Sequence, residues 1–169
     1  MNAPHAIHVE RRSDDLCTPA WILDLVRVMG PIALDPCANR WSTVGALVEL
    51  DERADGLATP WDFLLRTRGA HGSIWVNPPY SRPSPWCDAA RDAARAGRQL
   101  FVLSKLDPST RWSATLREVA RARVDFYARI SFDGGAHKTG MFASTLVYCG
   151  EYPREFVDLF SPFGDARGV

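Results

Sequence analysis

The sequence predicts an α/β domain on a mostly parallel sheet, with an antiparallel hairpin at one edge. Three observations lead there. Short apolar runs at 31–34, 44–50, 73–76 and 99–106 alternate with stretches of helical spacing, the pattern of strands covered by helices. The run Ile74-Trp75-Val76 stops abruptly at Asn77-Pro78-Pro79-Tyr80, because proline has no N–H to extend a ladder. Two later strand-like runs, 124–132 and 141–148, are joined by a connection carrying Gly134, Gly135 and Gly140, which suits a hairpin.

A chain of 169 residues is expected to form one domain with a real core. We place that domain at 16–150, between a loose N-terminal tail (1–15) and an irregular C-terminal tail (151–169) rich in proline and glycine. No apolar run reaches the length of a membrane span and the N-terminus lacks a signal core, so the expected location is intracellular and cytoplasmic. Cys17, Cys37, Cys87 and Cys149 are scattered without a Cys-x-x-Cys pair, which argues against zinc and a disulfide framework. His5 and His8 read as part of a solvated tail, so no metal is expected. The net charge of +0 lacks the basic footprint usual for nucleic-acid binders. Lysine occurs only at 105 and 138 among 20 basic residues, so arginine dominates any contact with phosphate.

Taken in order, Thr18 then Pro19 starts a helix, with a hydroxyl cap and proline in the first turn. Trp21, Ile22, Leu25, Val26 and Met29 follow at helical spacing until Gly30-Pro31. The next strand, expected to be central, ends at Asp35, where open α/β sheets bind ligands. Asp35 there could hold an amino group. Pro36-Cys37-Ala38-Asn39-Arg40 follows without glycine, so the backbone cannot approach a ligand closely. The run 44–50 is a second strand, with Glu49 and Asp51 near its end as alternative chelators of ribose hydroxyls. Asp55-Gly56-Leu57 is a turn, and 66–72 a polar connection to the strand at 74. Ser81 or Ser84 caps a helix over 85–96, and Arg91, Arg95 and Arg98 share a face. A strand at 99–106, a loop at 107–112 and a helix at 114–123 complete the series before the hairpin.

The Asn77 loop carries the chemistry. Proline forces an extended, stiff backbone, so the Asn77 side-chain oxygen and the Pro78 carbonyl form a fixed pair of acceptors, with Tyr80 as a flat face nearby. This suits the exocyclic amine of a nucleobase. Such an amine is a poor nucleophile because its lone pair is conjugated with the ring, and two acceptors on its hydrogens favour a pyramidal nitrogen. Neutral Asn77 is no true base, so the proton leaves after transfer to a strongly activated electrophile.

Several weak motifs occur in a recognisable order: Thr18-Pro19, Leu34-Asp35-Pro36-Cys37-Ala38, Asp55-Gly56-Leu57 with Trp61, the Asn77 loop with Trp86, Asp107 with Trp112, and Arg129-Ile130-Ser131-Phe132. With these the chain resembles the phage-type DNA adenine-N6 methyltransferases, the small Dam-like proteins, from about Cys17 to Tyr148. The resemblance implies a Rossmann-like methyltransferase fold, S-adenosylmethionine as cofactor, and DNA as partner. It implies that Asn77, Pro78, Pro79 and Tyr80 are catalytic. It implies cofactor contacts from Thr18, Pro19, Asp35, Pro36, Cys37 and Asp55, with Glu49 or Asp51 at the ribose. Tyr80, Ser81, Arg82, His137 and Lys138 are the expected nucleic-acid contacts, and no metal is required. The alternatives are another planar nitrogen (cytosine N4, RNA adenine or a protein glutamine) or a noncatalytic module on a decayed methyltransferase scaffold.

Overall fold

The computed structural model describes residues 14, 16–132, 140 and 142–169. The expected N-terminal tail, apart from Asp14, and the connection carrying His137 and Lys138 lie outside the described residues. The elements are α1 (Ala20–Val28), β1 (Ile32–Asp35), β2 (Val48–Glu49), α2 (Trp61–Arg68), β3 (Ser73–Val76) and α3 (Ser84–Arg95). They continue with β4 (Leu100–Lys105), α4 (Arg111–Arg117), β5 (Ala122–Phe126), β6 (Ser144–Cys149), α5 (Pro153–Phe160) and β7 (Gly164–Gly168). No helix among the described residues is long and apolar enough to cross a membrane.

One mixed sheet runs in the order β2-β1-β3-β4-β6-β5-β7. The pairs β1/β2, β1/β3 and β3/β4 are parallel, whereas β4/β6, β5/β6 and β5/β7 are antiparallel. The antiparallel part is therefore larger than the single edge hairpin read from the sequence. β4 occupies the middle, and β1 lies one strand from an edge. The central place expected for β1 belongs to β4, because the later strands extend the sheet on one side only.

Helices cover both faces. Ile22, Leu23 and Val26 of α1 and Phe156 and Phe160 of α5 pack with Trp75, Phe101, Leu103 and Tyr148 on one face. Trp61, Leu65, Cys87, Ala90 and Leu116 of α2, α3 and α4 pack with Ile74, Val76, Leu100 and Val102 on the other. β1, β3 and β6 are buried at every position, which explains apolar runs in place of clean alternation.

Several boundaries differ from the sequence reading, each for a local reason. The segment 151–169 is not irregular: Pro153 occupies the first turn of α5, where its missing N–H costs nothing, and β7 pairs with β5 from Ala122↔Gly168 to Phe126↔Gly164. Gly164 reads as a breaker, yet a Cβ there would sit 2.5 Å from the Asp125 carbonyl oxygen. The glycine therefore permits close strand approach. Residues 61–68 form α2, closed by Gly69 at φ 59°, where the sequence suggested only a polar connection beyond residue 65. The strand expected over 44–50 is two residues long. α4 begins at Arg111, inside the expected loop, and β5 starts at Ala122, inside the expected helix. The cap residue of α1 is Pro19 and that of α3 is Pro83, neither with a side-chain cap bond, so Thr18, Ser81 and Ser84 do not cap.

The arginines on α3 and Arg98 just beyond it are matched to acids. Arg91 pairs with Asp88 and Asp92, Arg95 with Glu118 at 2.8 Å, and Arg98 with Asp62. This face is a charge-balanced helix surface, not a free basic stripe.

The ring of Phe156 is fully buried and stacks on Tyr148 with centroids 5.3 Å apart and planes 9° apart. Phe156→Ala is expected to lower stability by about 3–5 kcal/mol, read as a lower urea midpoint at unchanged m-value. A change below ~1 kcal/mol would mean that α5 is not part of the cooperative unit.

Candidate active site

From β1 the chain crosses to β2 on one side, and from β3 it crosses to β4 on the other. The crevice beyond the carboxyl ends of β1 and β3 lies at this switch in direction, where open α/β sheets take their ligands. Asp35 and Asn77 stand at those ends, and both line a cleft together with Asp14, Leu16, Thr18, Cys37, Ser42, Thr43 and Trp75. Its free volume is about 20 Å³, on the scale of one water.

Asp35 is 4% exposed. Burial raises its carboxyl to about 7, against a backbone N–H that Cys37 donates at 3.1 Å, while the nearby Glu49 charge raises it further. Burial likewise pushes the Cys37 thiol upward, reinforced by Asp35, while the Asn77 backbone N–H lowers it. Cys37 is thus a neutral filler between the two strand ends, not a nucleophile.

The cleft holds two buried polar atoms with no partner, Thr18 Oγ1 and Trp75 Nε1. The helix starts one residue later than the sequence suggested, so Thr18 lies ahead of the cap among the cleft-lining residues. Unpaired buried donors are uncommon, and both of these belong to residues that line the cleft. The Asp35 carboxyl as acceptor beside the Thr18 hydroxyl and the Trp75 N–H fits a polar cofactor bearing both an ammonium and a carboxylate group.

The Asn77 loop is tied down from the N-terminal side. Asn77 Nδ2 donates to the Leu16 carbonyl at 3.2 Å, and Tyr80 donates its hydroxyl to Asn77 Oδ1 at 3.1 Å. Ser81 donates its backbone N–H and hydroxyl to Asp14 at 3.0 and 2.6 Å. The Tyr80 ring meets Phe142 edge-on at 4.6 Å and Phe132 at 6.0 Å, and burial pushes its phenol up. Pro78 is buried, Pro79 half-buried, and the Pro79 carbonyl accepts from Arg82 in a turn.

The structure brings Thr18, Asp35, Cys37 and Asn77 into one cleft. Pro19, Pro36, Glu49, Asp51 and Asp55 do not line it. Glu49 is paired in register with Asp35 and accepts from Ser42, a cleft residue, at 3.3 Å. Asp51 accepts from Arg53 and Ala54 in its own turn, so of the two acids it is Glu49 that contacts a cleft residue. Asp55, at φ 43°, accepts from Ala58 in a turn. Ser81 and Arg82 are exposed. Sequence reasoning missed Asp14, the Leu16 carbonyl, Ser42, Thr43 and Trp75, which carry no motif of their own.

Gly56 is held against the cleft loop: a Cβ there would sit 1.7 Å from the Pro36 carbonyl oxygen, and Trp61 donates its indole N–H to the Gly56 carbonyl at 2.7 Å. Gly56→Ala must push the two loops apart. We expect a loss of about 1–3 kcal/mol, measured by thermal unfolding, and an unchanged midpoint would contradict this contact.

Comparison with individually curated proteins returns no match. Residues 7–149 match the family model described as DNA N-6-adenine-methyltransferase (Dam). That range contains α1 through β6, both strand ends of the cleft and the entire Asn77 loop. The chain therefore belongs to the DNA N-6-adenine-methyltransferase (Dam) family.

Proposed function

We propose that this protein transfers the methyl group of S-adenosylmethionine to N6 of adenine in DNA, by direct in-line attack on a Rossmann-like methyltransferase scaffold. The Asn77 amide carries this reading. With Nδ2 donating to Leu16, Oδ1 accepts the Tyr80 hydroxyl, and that hydroxyl marks where an amine hydrogen would sit. The Pro78 carbonyl is the second acceptor. Together they hold the amine with its lone pair free of ring conjugation.

When bound, S-adenosylmethionine supplies a methyl group on a good sulfonium leaving group. Thr18 Oγ1 and Trp75 Nε1 would gain partners, Asp35 would face the ammonium, and Glu49 would take the ribose hydroxyls. Asn77 stays neutral throughout, so the amine's proton departs to solvent after transfer. The target adenine is taken out of the stack to reach this crevice, with the exposed Ser81 and Arg82 on the DNA side. An enzyme acting on DNA works inside the cell.

Labelled cofactor with DNA, RNA or protein, followed by nucleoside and peptide mass analysis, tests the reading. Labelled N6-methyladenine from DNA is the expected product. Label found only in N4-methylcytosine, RNA or glutamine moves the acceptor, and absence of cofactor binding by calorimetry points to a decayed scaffold.

Asn77→Ala is expected to reduce transfer by at least ~100-fold while changing the cofactor dissociation constant little. Parallel loss of both would place Asn77 in the cofactor site instead.

Asp35 adds a pH signature. Its folded carboxyl is raised to about 7 against about 3.9 in an unfolded chain. The folded state thus holds the proton more tightly, and stability declines as pH rises from about 4 through about 7. Asp35→Asn should lack that decline, gaining thermal stability relative to the parent at alkaline pH while losing cofactor affinity. An ammonium beside Asp35 favours the carboxylate, so cofactor binding near neutral pH should release part of a proton. Calorimetry in buffers of different ionisation enthalpy measures that release, and a buffer-independent enthalpy would rule out the contact.

A further inference from the structure

Lys105 ends β4 on the sheet face that carries Asn77. Trp75 pairs with Phe101 in register, and both Asn77 and Lys105 keep that face by the two-residue repeat. Its ammonium lies 5.4 Å from the centroid of the Tyr80 ring and 4.9 Å from that of Phe142. Opposite it on β6, Ser144 is fully buried with its hydroxyl unpartnered. Among the described residues Lys105 has no carboxylate in ion-pair contact. A flexible cation thus occupies the aromatic faces that a target base needs.

Resting on the function proposed above, we infer that the Lys105 ammonium holds the place of the target base over Tyr80 and Phe142, then binds the phosphate of that nucleotide once the base enters. Tyr80 and Phe142 are half-buried, and an entering base covers a ring face that the ammonium only touches, so the base displaces it. The four-carbon stem lets the ammonium swing while staying near. It is not suited to remain beside N6, because a cation opposes the positive charge that develops on that nitrogen. The nucleotide's own phosphate is the anion that arrives with the base, and a lysine meets it as a point charge.

The test compares deoxyadenosine with its 5′- and 3′-monophosphates as ligands of the full chain saturated with S-adenosylhomocysteine, by NMR titration. The parent should bind at least one monophosphate about threefold more tightly than the nucleoside. Lys105→Met, which keeps the stem, should erase that preference, and Lys105→Arg should keep it. In DNA methylation Lys105→Met should raise KM for DNA more than it lowers kcat, with a shallower dependence on salt. Equal binding of nucleoside and monophosphates by the parent, no binding of any of them by a preparation that methylates DNA, or a preference that survives Lys105→Met overturns the inference. Absence of DNA methylation by the parent defeats the proposed function instead, whatever Lys105 does.

Discussion

The two prolines after Asn77 control the rest of the site. They end β3 and bar the following residues from the sheet, so the loop from Asn77 to Ser81 must find partners elsewhere. It finds them in the chain just before α1: the Leu16 carbonyl takes the Asn77 amide N–H, and the Asp14 carboxylate takes both donors of Ser81. An asparagine amide is nearly symmetric in shape, and only its hydrogen-bond partners decide which end faces a ligand. One backbone carbonyl, 61 residues away in sequence, therefore decides that an acceptor and not a donor is presented beside Tyr80.

Around that loop the molecule gives up stability. Asp35 is buried without an ion-pair partner among the described residues, and Thr18 and Trp75 keep polar atoms unpaired in the same cleft. Elsewhere the arginines of α3 are matched to acids, and Phe101, Tyr148, Phe156 and Phe160 form a closely packed aromatic layer in which Tyr148 and Phe156 stack. Two of the four unpartnered buried polar atoms among the described residues belong to residues that line this crevice, and a ligand bound there would supply the missing partners.

Asp35 and Asn77 could be read as site residues because each follows an apolar run that must be a strand, and a strand end is a defined place in an open sheet. The C-terminal segment was misread because Pro153 and Gly164 are breakers by composition yet serve here as a helix start and a close strand contact. Thr18 was expected to cap a helix by local rule, but Pro19 holds the cap position and Thr18 lines the cleft instead.

The sequence by itself determined the family, the first helix, the strands that end at Asp35 and at Asn77, the helix and strand that follow, and the stiff polar corner at Asn77. These rest on local physics: apolar periodicity, the missing N–H of proline, and the types of residue at strand ends. Tertiary structure alone decided that β4 holds the middle of the sheet, that β7 closes its far edge, and that of Glu49 and Asp51 it is Glu49 that contacts a cleft residue. It also placed Asp14 and Leu16 against the loop and Lys105 over Tyr80. Each of those facts is a pairing between distant segments, and no local pattern encodes which of several chemically similar partners will meet once the chain is folded.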